Sequence, residues 1–263
     1  MEPDNNSSAE DTTRPGYRRR GVYLLPNLFT TAALFAGFYA IVASMNGRFE
    51  QASVAVFIAM VLDGIDGRVA RATNTQSEFG AEYDSLSDMV SFGLAPALIM
   101  YQWSLASMVN MGGQWGKMGW LASFIYTACA ALRLARFNTQ VGVADKSYFQ
   151  GLPSPSAAAA VVGMVWVGFD MGIQGPDVAI PALVLTTLVG ILMVSNVLYY
   201  SFKEVNFKHR VPVLTILVFA LALAFASIDP PTVLFGVFLL YILSGPVLGV
   251  VRRVKKLVRR KPA

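Results

Sequence analysis

Residues 63–71 read D-G-I-D-G-R-V-A-R and residues 80–88 read G-A-E-Y-D-S-L-S-D, with eight residues between the two blocks. Gly80, Asp84 and Asp88 repeat every four residues and therefore share one face of a helix. In the first block an i, i+3, i+4, i+7, i+8 spacing also predicts one helical face, which carries Asp63, Asp66, Gly67, Ala70 and Arg71. Two adjacent helices could bring these faces together around a metal pair and a phosphate.

The rest of the chain is strongly apolar. Of its 263 residues, 55% are hydrophobic and only 14% are charged, which excludes a disordered chain and indicates a polytopic membrane protein. An ionised carboxylate costs several kcal/mol to move out of water unless it is paired or bound to a metal. Four aspartates clustered in such a chain therefore predict a cation site.

The available ligand types restrict the metal. The chain has one cysteine, Cys129, and one histidine, His209, so a disulfide framework, a thiolate metal site and a histidine-rich metal site are all excluded. Ligands that are oxygen atoms alone favour a hard cation, Mg²⁺ or Mn²⁺, with Ca²⁺ as an alternative. Such ions usually share their coordination with substrate phosphates. Arg71 could hold a phosphate, or it could be an interfacial snorkelling residue or a counter-ion for Asp66.

The hydrophobic pattern predicts an all-α, polytopic transmembrane helix bundle of about eight helices. A span needs roughly 20 residues. The predicted spans are 22–44, 50–73, 81–106, 117–137, 152–169, 178–200, 211–228 and 231–250. Residues 1–20 are expected to form a polar, disordered N-terminus, residues 21–250 a transmembrane domain, and residues 251–263 a basic tail that anchors the chain or attracts anionic lipid.

The distribution of basic residues predicts the orientation. With both termini in the cytoplasm, 19 of the 21 lysines and arginines fall on the cytoplasmic side, and only Arg48 and Lys117 do not. This orientation places the carboxylates at the cytoplasmic ends of the second and third helices. A bacterial inner membrane is the expected location, with the site facing the cytoplasm.

The pattern Asp63-x-x-Asp66-Gly67-x-x-Ala70-Arg71, then eight residues, then Gly80-x-x-x-Asp84-x-x-x-Asp88 resembles the CDP-alcohol phosphatidyltransferase signature at every fixed position. Four surrounding stretches are similar to the membrane-type phosphatidylserine synthase branch of that family: residues 24–40, 84–97, 133–138 and 151–157. The resemblance implies a phosphatidyl transfer from CDP-diacylglycerol to L-serine, with release of CMP. Ser85 and Met89 argue against the phosphatidylglycerophosphate synthase branch, which typically has proline and lysine there.

The resemblance also implies roles for the signature residues. Asp63, Asp66 and Asp84 are expected to bind two divalent ions, with Asp88 as a further ligand and as the general base. Contacts with the nucleotide and its phosphates are expected from Asn27, Thr30, Gly67, Ala70, Arg71 and Gly80. Asn27 equally fits a helix-start residue, and the small residues equally fit close helix packing.

The acceptor site is less constrained by the sequence. Arg133 and Arg136 are i, i+3 neighbours that could hold the carboxylate of serine, or they could serve only as cytoplasmic anchors. Glu82 is a weak candidate for binding the ammonium group.

Two alternative functions stay open at this point. One keeps the same chemistry with inositol phosphate, glycerol phosphate or choline as acceptor, and the other is a cation transporter. The family resemblance further suggests a homodimer among membrane lipids, and nothing in the sequence suggests a nucleic-acid partner.

Overall fold

The computed structural model describes residues 18–139, 148–200 and 227–259. Its helices and strands follow one another in the order given next. They are α1 (Arg18–Met45), α2 (Phe49–Thr73), α3 (Glu78–Asp88), a π-helical segment (Met89–Leu94), α4 (Ala95–Trp103), a 3-10 segment (Leu105–Met111), α5 (Trp115–Thr139), β1 (Tyr148–Gln150), α6 (Ser154–Asp170), a second 3-10 segment (Gly175–Val178), α7 (Ala179–Val194), β2 (Leu198–Tyr200) and α8 (Pro230–Arg259).

Five helical stretches in these ranges are long and apolar enough to cross a membrane: Leu25–Met45, Glu78–Met111, Trp115–Thr139, Gly175–Val194 and Pro230–Gly249. Helix α2 is not among them because it carries several charged side chains, and α6 is only 17 residues long. The prediction of a helical membrane protein is therefore confirmed. Most of the predicted seventh span, 211–226, lies outside the described residues.

The sixth predicted span, 178–200, extends too far. Helix α7 ends at Val194, and Ser195 has an extended backbone with ψ 163°. The Ser195 hydroxyl accepts the Val197 N–H at 3.3 Å, a local bond that competes with helix continuation. Leu198–Tyr200 then pairs antiparallel with Tyr148–Gln150, so the bundle also contains a two-stranded ribbon that the hydrophobic pattern did not predict.

The two predicted terminal segments, 1–20 and 251–263, lie only partly within the described residues. Helix α1 already begins at Arg18, inside the segment 1–20 that was expected to be disordered, and α8 continues to Arg259, into the predicted tail 251–263. Residues 1–17 and 260–263 lie outside the described part of the chain.

Helices α1 and α2 form an antiparallel pair. Thr30 bonds to Asp66 near one end of the pair, and the Tyr39 hydroxyl donates to Gln51 at 3.3 Å toward the other. The contact is made by small buried residues that let the two backbones approach closely. These residues are Ala33, Ala36, Ala40, Ala43, Ala52, Ala55 and Ala59.

Helix α3 and the π-helical segment pack against α1 through serine hydroxyls. Ser87 donates to the Thr30 carbonyl at 3.2 Å, and Ser91 donates to the Ala33 carbonyl at 3.1 Å. Gly37 makes room for this contact, since a Cβ there would lie 2.8 Å from the Ser91 Cα. Helix α3, which carries the C-terminal half of the signature, is therefore held against α1.

The π-helical segment begins directly after Asp88. Single π turns inside helices change which side chains face a site, and they leave carbonyls that need other donors. Here the buried Tyr126 hydroxyl of α5 donates to the Phe92 carbonyl at 2.9 Å. Helix α5 thus packs against the segment that directly follows Asp88.

Candidate functional site

Three carboxylates converge where α2 meets α3. The side-chain oxygens of Asp63, Asp66 and Asp84 lie within 4.8 Å of one another. Asp66 is only 4% exposed, and the other two are half-buried. Like charges this close, and partly withdrawn from water, repel strongly unless a cation or a proton compensates them. The structure therefore brings together three of the four aspartates expected to bind metal, in an arrangement suited to a cation.

The turn between α2 and α3 produces this convergence. Asn74 adopts the left-handed conformation, with φ 51°, at the end of α2. Asparagine tolerates that conformation better than most residues do. The Ser77 hydroxyl then caps α3 by accepting the Gly80 N–H at 3.0 Å. The chain reverses within a few residues, so that Asp66 and Asp84 face each other.

Thr30 of α1 fixes the most buried carboxylate. Its hydroxyl donates to the Asp66 Oδ2 at 2.8 Å and also lies 3.1 Å from the Pro26 carbonyl. Thr30 is itself only 4% exposed. A hydrogen bond to a charged group is stronger than one between neutral groups and sets the direction of the carboxylate. The sequence assigned Thr30 to the nucleotide, whereas the structure also gives it this contact with a predicted metal ligand.

Asp88 lies beside the three converging carboxylates. Its carboxyl group is within hydrogen-bonding reach of Asp63, and the charges of Asp84 and of Arg133 on α5 act on it. Asp88 is not one of the three residues whose oxygens all lie within 4.8 Å. The fourth aspartate thus lies close enough to Asp63, Asp84 and Arg133 for their charges to act on its carboxyl group.

The donor set fits a hard divalent ion. Within the described residues, the carboxylate group contains only aspartate oxygens, and the half-buried Cys129 belongs to α5. Mg²⁺ and Mn²⁺ prefer such oxygen ligands and commonly keep positions open for substrate phosphates. His209 lies outside the described residues.

A cavity of about 230 Å³ opens next to the carboxylates, between α1, α2 and α3. Asp66 and Asp84 line it. All of the residues expected to contact the nucleotide line it as well: Asn27, Thr30, Gly67, Ala70, Arg71 and Gly80. A negatively charged phosphate in this cavity would have Arg71 and any bound cation as its positive partners.

Two glycines, Gly67 and Gly80, line this cavity. A Cβ on Gly80 would lie 3.1 Å from the Ser77 Oγ and 3.6 Å from the Asn27 Oδ1, and a Cβ on Gly67 would lie 3.4 Å from the Arg71 Nη1. A side chain at position 80 would crowd the Ser77 hydroxyl that caps α3, whereas one at position 67 would meet Arg71 at an ordinary contact distance. Only Gly80 is therefore in a position where the structure requires a small residue.

Part of the cavity lining was not predicted from the sequence. Thr75, Gln76 and Ser77 of the turn border the cavity, together with Pro26 and Ala81. The polar run T-Q-S, which connects the two halves of the signature, could have predicted this. A short connection between two adjacent helices must pass close to any cavity that lies between them.

The three residues assigned to the acceptor have different surroundings. Arg133 Nη1 donates to the Ser154 Oγ at 2.6 Å, and its buried Nε has no hydrogen-bond partner within the described residues. Arg136 donates to the Val194 carbonyl at 3.3 Å and to the Asn196 Oδ1 at 3.0 Å. Glu82 is exposed and does not line the cavity. Only Arg133 combines closeness to Asp88 with an unused donor.

Comparisons with known proteins agree with the arrangement. A family model described as CDP-alcohol phosphatidyltransferase matches residues 23–192. A Helicobacter pylori CDP-diacylglycerol–serine O-phosphatidyltransferase is 36% identical over 220 residues, which cover 84% of this chain and 90% of that protein. Proteins of the same name match from Methanocaldococcus jannaschii, with 33% identity over 72% of this chain and 80% of the relative, and from Saccharomyces cerevisiae, with 36% identity over 50% of each.

Proposed function

The chain belongs to the CDP-alcohol phosphatidyltransferase family, and we propose that it transfers the phosphatidyl group of CDP-diacylglycerol to the hydroxyl of L-serine. The products are phosphatidylserine and CMP. The observation that carries the proposal is the convergence of Asp63, Asp66 and Asp84 beside a cavity lined by the remaining signature residues. The relatives that carry this activity in their names support serine as the acceptor.

The carboxylates are proposed to hold two divalent ions, Mg²⁺ or Mn²⁺. Asp63, Asp66 and Asp84 are the principal ligands, and Asp88 is a further ligand at one ion. When bound, such ions neutralise the pyrophosphate and stabilise the charge that develops as CMP leaves. Thr30 keeps Asp66 oriented, so the ligand set is already arranged before substrate arrives.

The cavity is proposed to receive the nucleotide end of the donor. Asn27 and the turn residues Thr75, Gln76 and Ser77 supply neutral polar groups, and Arg71 supplies a guanidinium that can hold a phosphate through two hydrogen bonds. The absence of side chains at Gly67 and Gly80 allows the nucleotide to approach the helix backbones.

Asp88 is proposed to be the general base. A serine hydroxyl is a poor nucleophile at neutral pH, so a positioned proton acceptor is needed. The hydroxyl oxygen forms a bond to the phosphorus of the phosphatidyl group, the bond from that phosphorus to the CMP oxygen breaks, and Asp88 takes the hydroxyl proton. Its place at the edge of the carboxylate group suits this role.

Arg133 is proposed to hold the carboxylate of serine. Its Nη1 is fixed by Ser154, while its Nε has no partner among the described residues. An arginine held on one side can present its remaining donors to a carboxylate with little further loss of side-chain freedom. Arg133 lies close enough to Asp88 for the two charges to interact, which supports a serine site next to the base.

The basic residues support a cytoplasmic site. We propose that both termini face the cytoplasm of a bacterial cell, in its inner membrane, where water-soluble serine can reach the carboxylates. We further propose that the enzyme forms a homodimer, as the family resemblance implies; chemical crosslinking in native membranes would test the dimer.

The acceptor assignment is tested by a panel of alcohols. Purified protein is given CDP-diacylglycerol, Mn²⁺ and either L-serine, glycerol phosphate, inositol phosphate or choline, and CMP release is measured. Of the four acceptors, we expect only L-serine to give rapid CMP release. Faster release with a phosphorylated acceptor would keep the family chemistry and overturn the choice of serine.

A further inference from the structure

The last described helix, α8, is held against α6 and against the two-stranded ribbon. Phe235 of α8 lies so close to α6 that a Cβ on Gly163 would be 3.3 Å from the Phe235 Cα. Farther along α8, the buried Tyr199 of β2 donates its hydroxyl to the Ile242 carbonyl at 3.1 Å. Gly245 makes room for Tyr199, since a Cβ there would overlap the Tyr199 ring. Helix α8 is therefore fixed at two levels, beside the middle of α6 and beside β2.

These contacts bring Tyr241 of α8 near Arg133. The ring centre of Tyr241 lies 5.5 Å from that of Tyr199. Tyr199 pairs with Phe149 of β1, and the chain that leaves β1 enters α6 at Ser154, whose hydroxyl accepts a hydrogen bond from Arg133. Tyr241 is close enough to Arg133 for the phenol and the guanidinium to interact electrostatically. The ribbon thus connects the neighbour of Tyr241 with the partner of Arg133.

Tyr241 differs from the other tyrosine beside Arg133. Tyr126 is fully buried, and its hydroxyl donates to the Phe92 carbonyl, so it serves the packing of α5. Tyr241 is only half-buried, although it packs against the same hydrophobic core. Arg133 in turn lies close to Asp88, the proposed base. A small molecule that Arg133 holds beside Asp88 would therefore have Tyr241 as a neighbour on the α8 side.

We propose that Tyr241 lines the acceptor site and limits the size of the alcohol that Arg133 holds beside Asp88. The inference rests on the proposed function, because it takes L-serine as the acceptor. Tyr241 lies beyond residues 23–192, which the family model matches, so the shared signature assigns it no role. An aromatic ring forms a large wall with few rotatable bonds, and one methylene against a pocket wall changes kcat/KM by roughly 10- to 200-fold.

The size limit is tested with L-serine and L-homoserine. Homoserine carries the same carboxylate and ammonium groups and one more methylene. CMP release gives kcat/KM for each acceptor with the wild-type protein and with Tyr241→Ala, in the presence of CDP-diacylglycerol and Mn²⁺. We expect Tyr241→Ala to raise the homoserine-to-serine ratio of kcat/KM roughly 10-fold or more. An unchanged ratio would overturn the proposal.

Tyr101→Ala is the matched control. Tyr101 of α4 is also half-buried and packs against the same core, and it does not line the nucleotide cavity. We expect this variant to lose thermal stability, as Tyr241→Ala does, and to keep the wild-type ratio. A similar rise of the ratio in both variants would show that general loosening of the helices relaxes the selection, and would contradict a specific role for Tyr241.

The same ratio distinguishes a wall from a support for Arg133. Both acceptors present the carboxylate that Arg133 is proposed to hold, so a tyrosine that only positioned Arg133 would affect them equally and leave the ratio unchanged. Tyr241→Phe keeps the ring, and we expect it to keep the wild-type ratio; a rise in this variant would contradict selection by the ring. Tyr241→Leu keeps an apolar side chain on α8 and gives the same test as Tyr241→Ala if the alanine variant does not fold.

Failure of this inference is distinguishable from failure of the proposed function. The wild-type protein is first given L-serine in the acceptor panel, and absence of CMP release there contradicts the proposed function. A wild-type protein that uses serine, combined with an unchanged ratio in Tyr241→Ala or Tyr241→Leu, contradicts only the role of Tyr241.

Discussion

The Thr30 hydroxyl donates to the Asp66 carboxylate at 2.8 Å, which joins the first helix to a residue of the carboxylate group 36 positions later in the chain. Both side chains are only 4% exposed. A buried carboxylate that keeps one fixed neutral donor retains its direction and its capacity to bind a cation. Helix α1 thus contributes to the site through a residue that lies outside the signature itself.

Replacing Thr30 is expected to weaken metal binding. Thr30→Val keeps the shape and removes the donor, and a hydrogen bond to a charged group contributes about 1.5–3 kcal/mol. The half-saturating Mn²⁺ concentration for CMP release should therefore rise roughly 10- to 100-fold. Thr30→Ser retains the hydroxyl and serves as the control. Identical Mn²⁺ titrations for Thr30→Val and Thr30→Ser would show that the bond does not orient a metal ligand.

Asp88→Asn tests the base. The change preserves size and removes the proton acceptor, so turnover should fall on the order of 10²-fold or more while binding of CDP-diacylglycerol is largely retained. Single-turnover rates and equilibrium binding of the donor measure the two effects separately. Near-normal turnover in Asp88→Asn would make Asp88 a dispensable ligand, and the base would have to be another group.

Arg133→Lys tests the serine site. Lysine cannot form the bidentate pair of hydrogen bonds that a guanidinium makes with a carboxylate. We expect the KM for serine to rise roughly 10- to 100-fold, as loss of a charge-assisted hydrogen bond implies, with a far smaller change in the KM for CDP-diacylglycerol. Equal increases in both constants would assign Arg133 to phosphate binding or to structure.

Arg136→Lys is expected to behave differently. Arg136 already uses its donors on the Val194 carbonyl and the Asn196 side chain, which tie α5 to the end of α7. Its replacement should lower the thermal unfolding temperature and leave the ratio of the two KM values unchanged. A selective increase in the KM for serine would show instead that Arg136 also contacts the acceptor.

The sequence predicted those parts of the site that depend on local spacing. Asp63 and Asp66 share a helix face by their separation alone, and a short polar connection brings Asp84 opposite them. From the sequence, the same acceptor-binding role was predicted for Arg133 and Arg136. Their different partners, Ser154 and Asn196, lie 21 and 60 positions away and cannot be identified from spacing.

The errors in the fold have a similar origin. Leu198–Tyr200 is apolar enough to continue α7, and only its pairing with β1 makes it a strand. The π-helical segment after Asp88 depends in the same way on a distant donor, Tyr126. Hydrophobicity predicts that such segments are buried, whereas the backbone conformation is determined by contacts from elsewhere in the chain.

The most direct test follows isotopically labelled L-serine into lipid. Purified protein, freed of metal with EDTA, is incubated with CDP-diacylglycerol and labelled serine before and after addition of Mn²⁺, with Asp84→Asn as a parallel sample. We predict no labelled lipid without metal, labelled phosphatidylserine in step with CMP release once Mn²⁺ is present, and little product from Asp84→Asn. Undiminished labelling in the metal-free protein, or no labelled lipid when metal and donor are both present, would contradict a metal-dependent transfer to serine at these carboxylates.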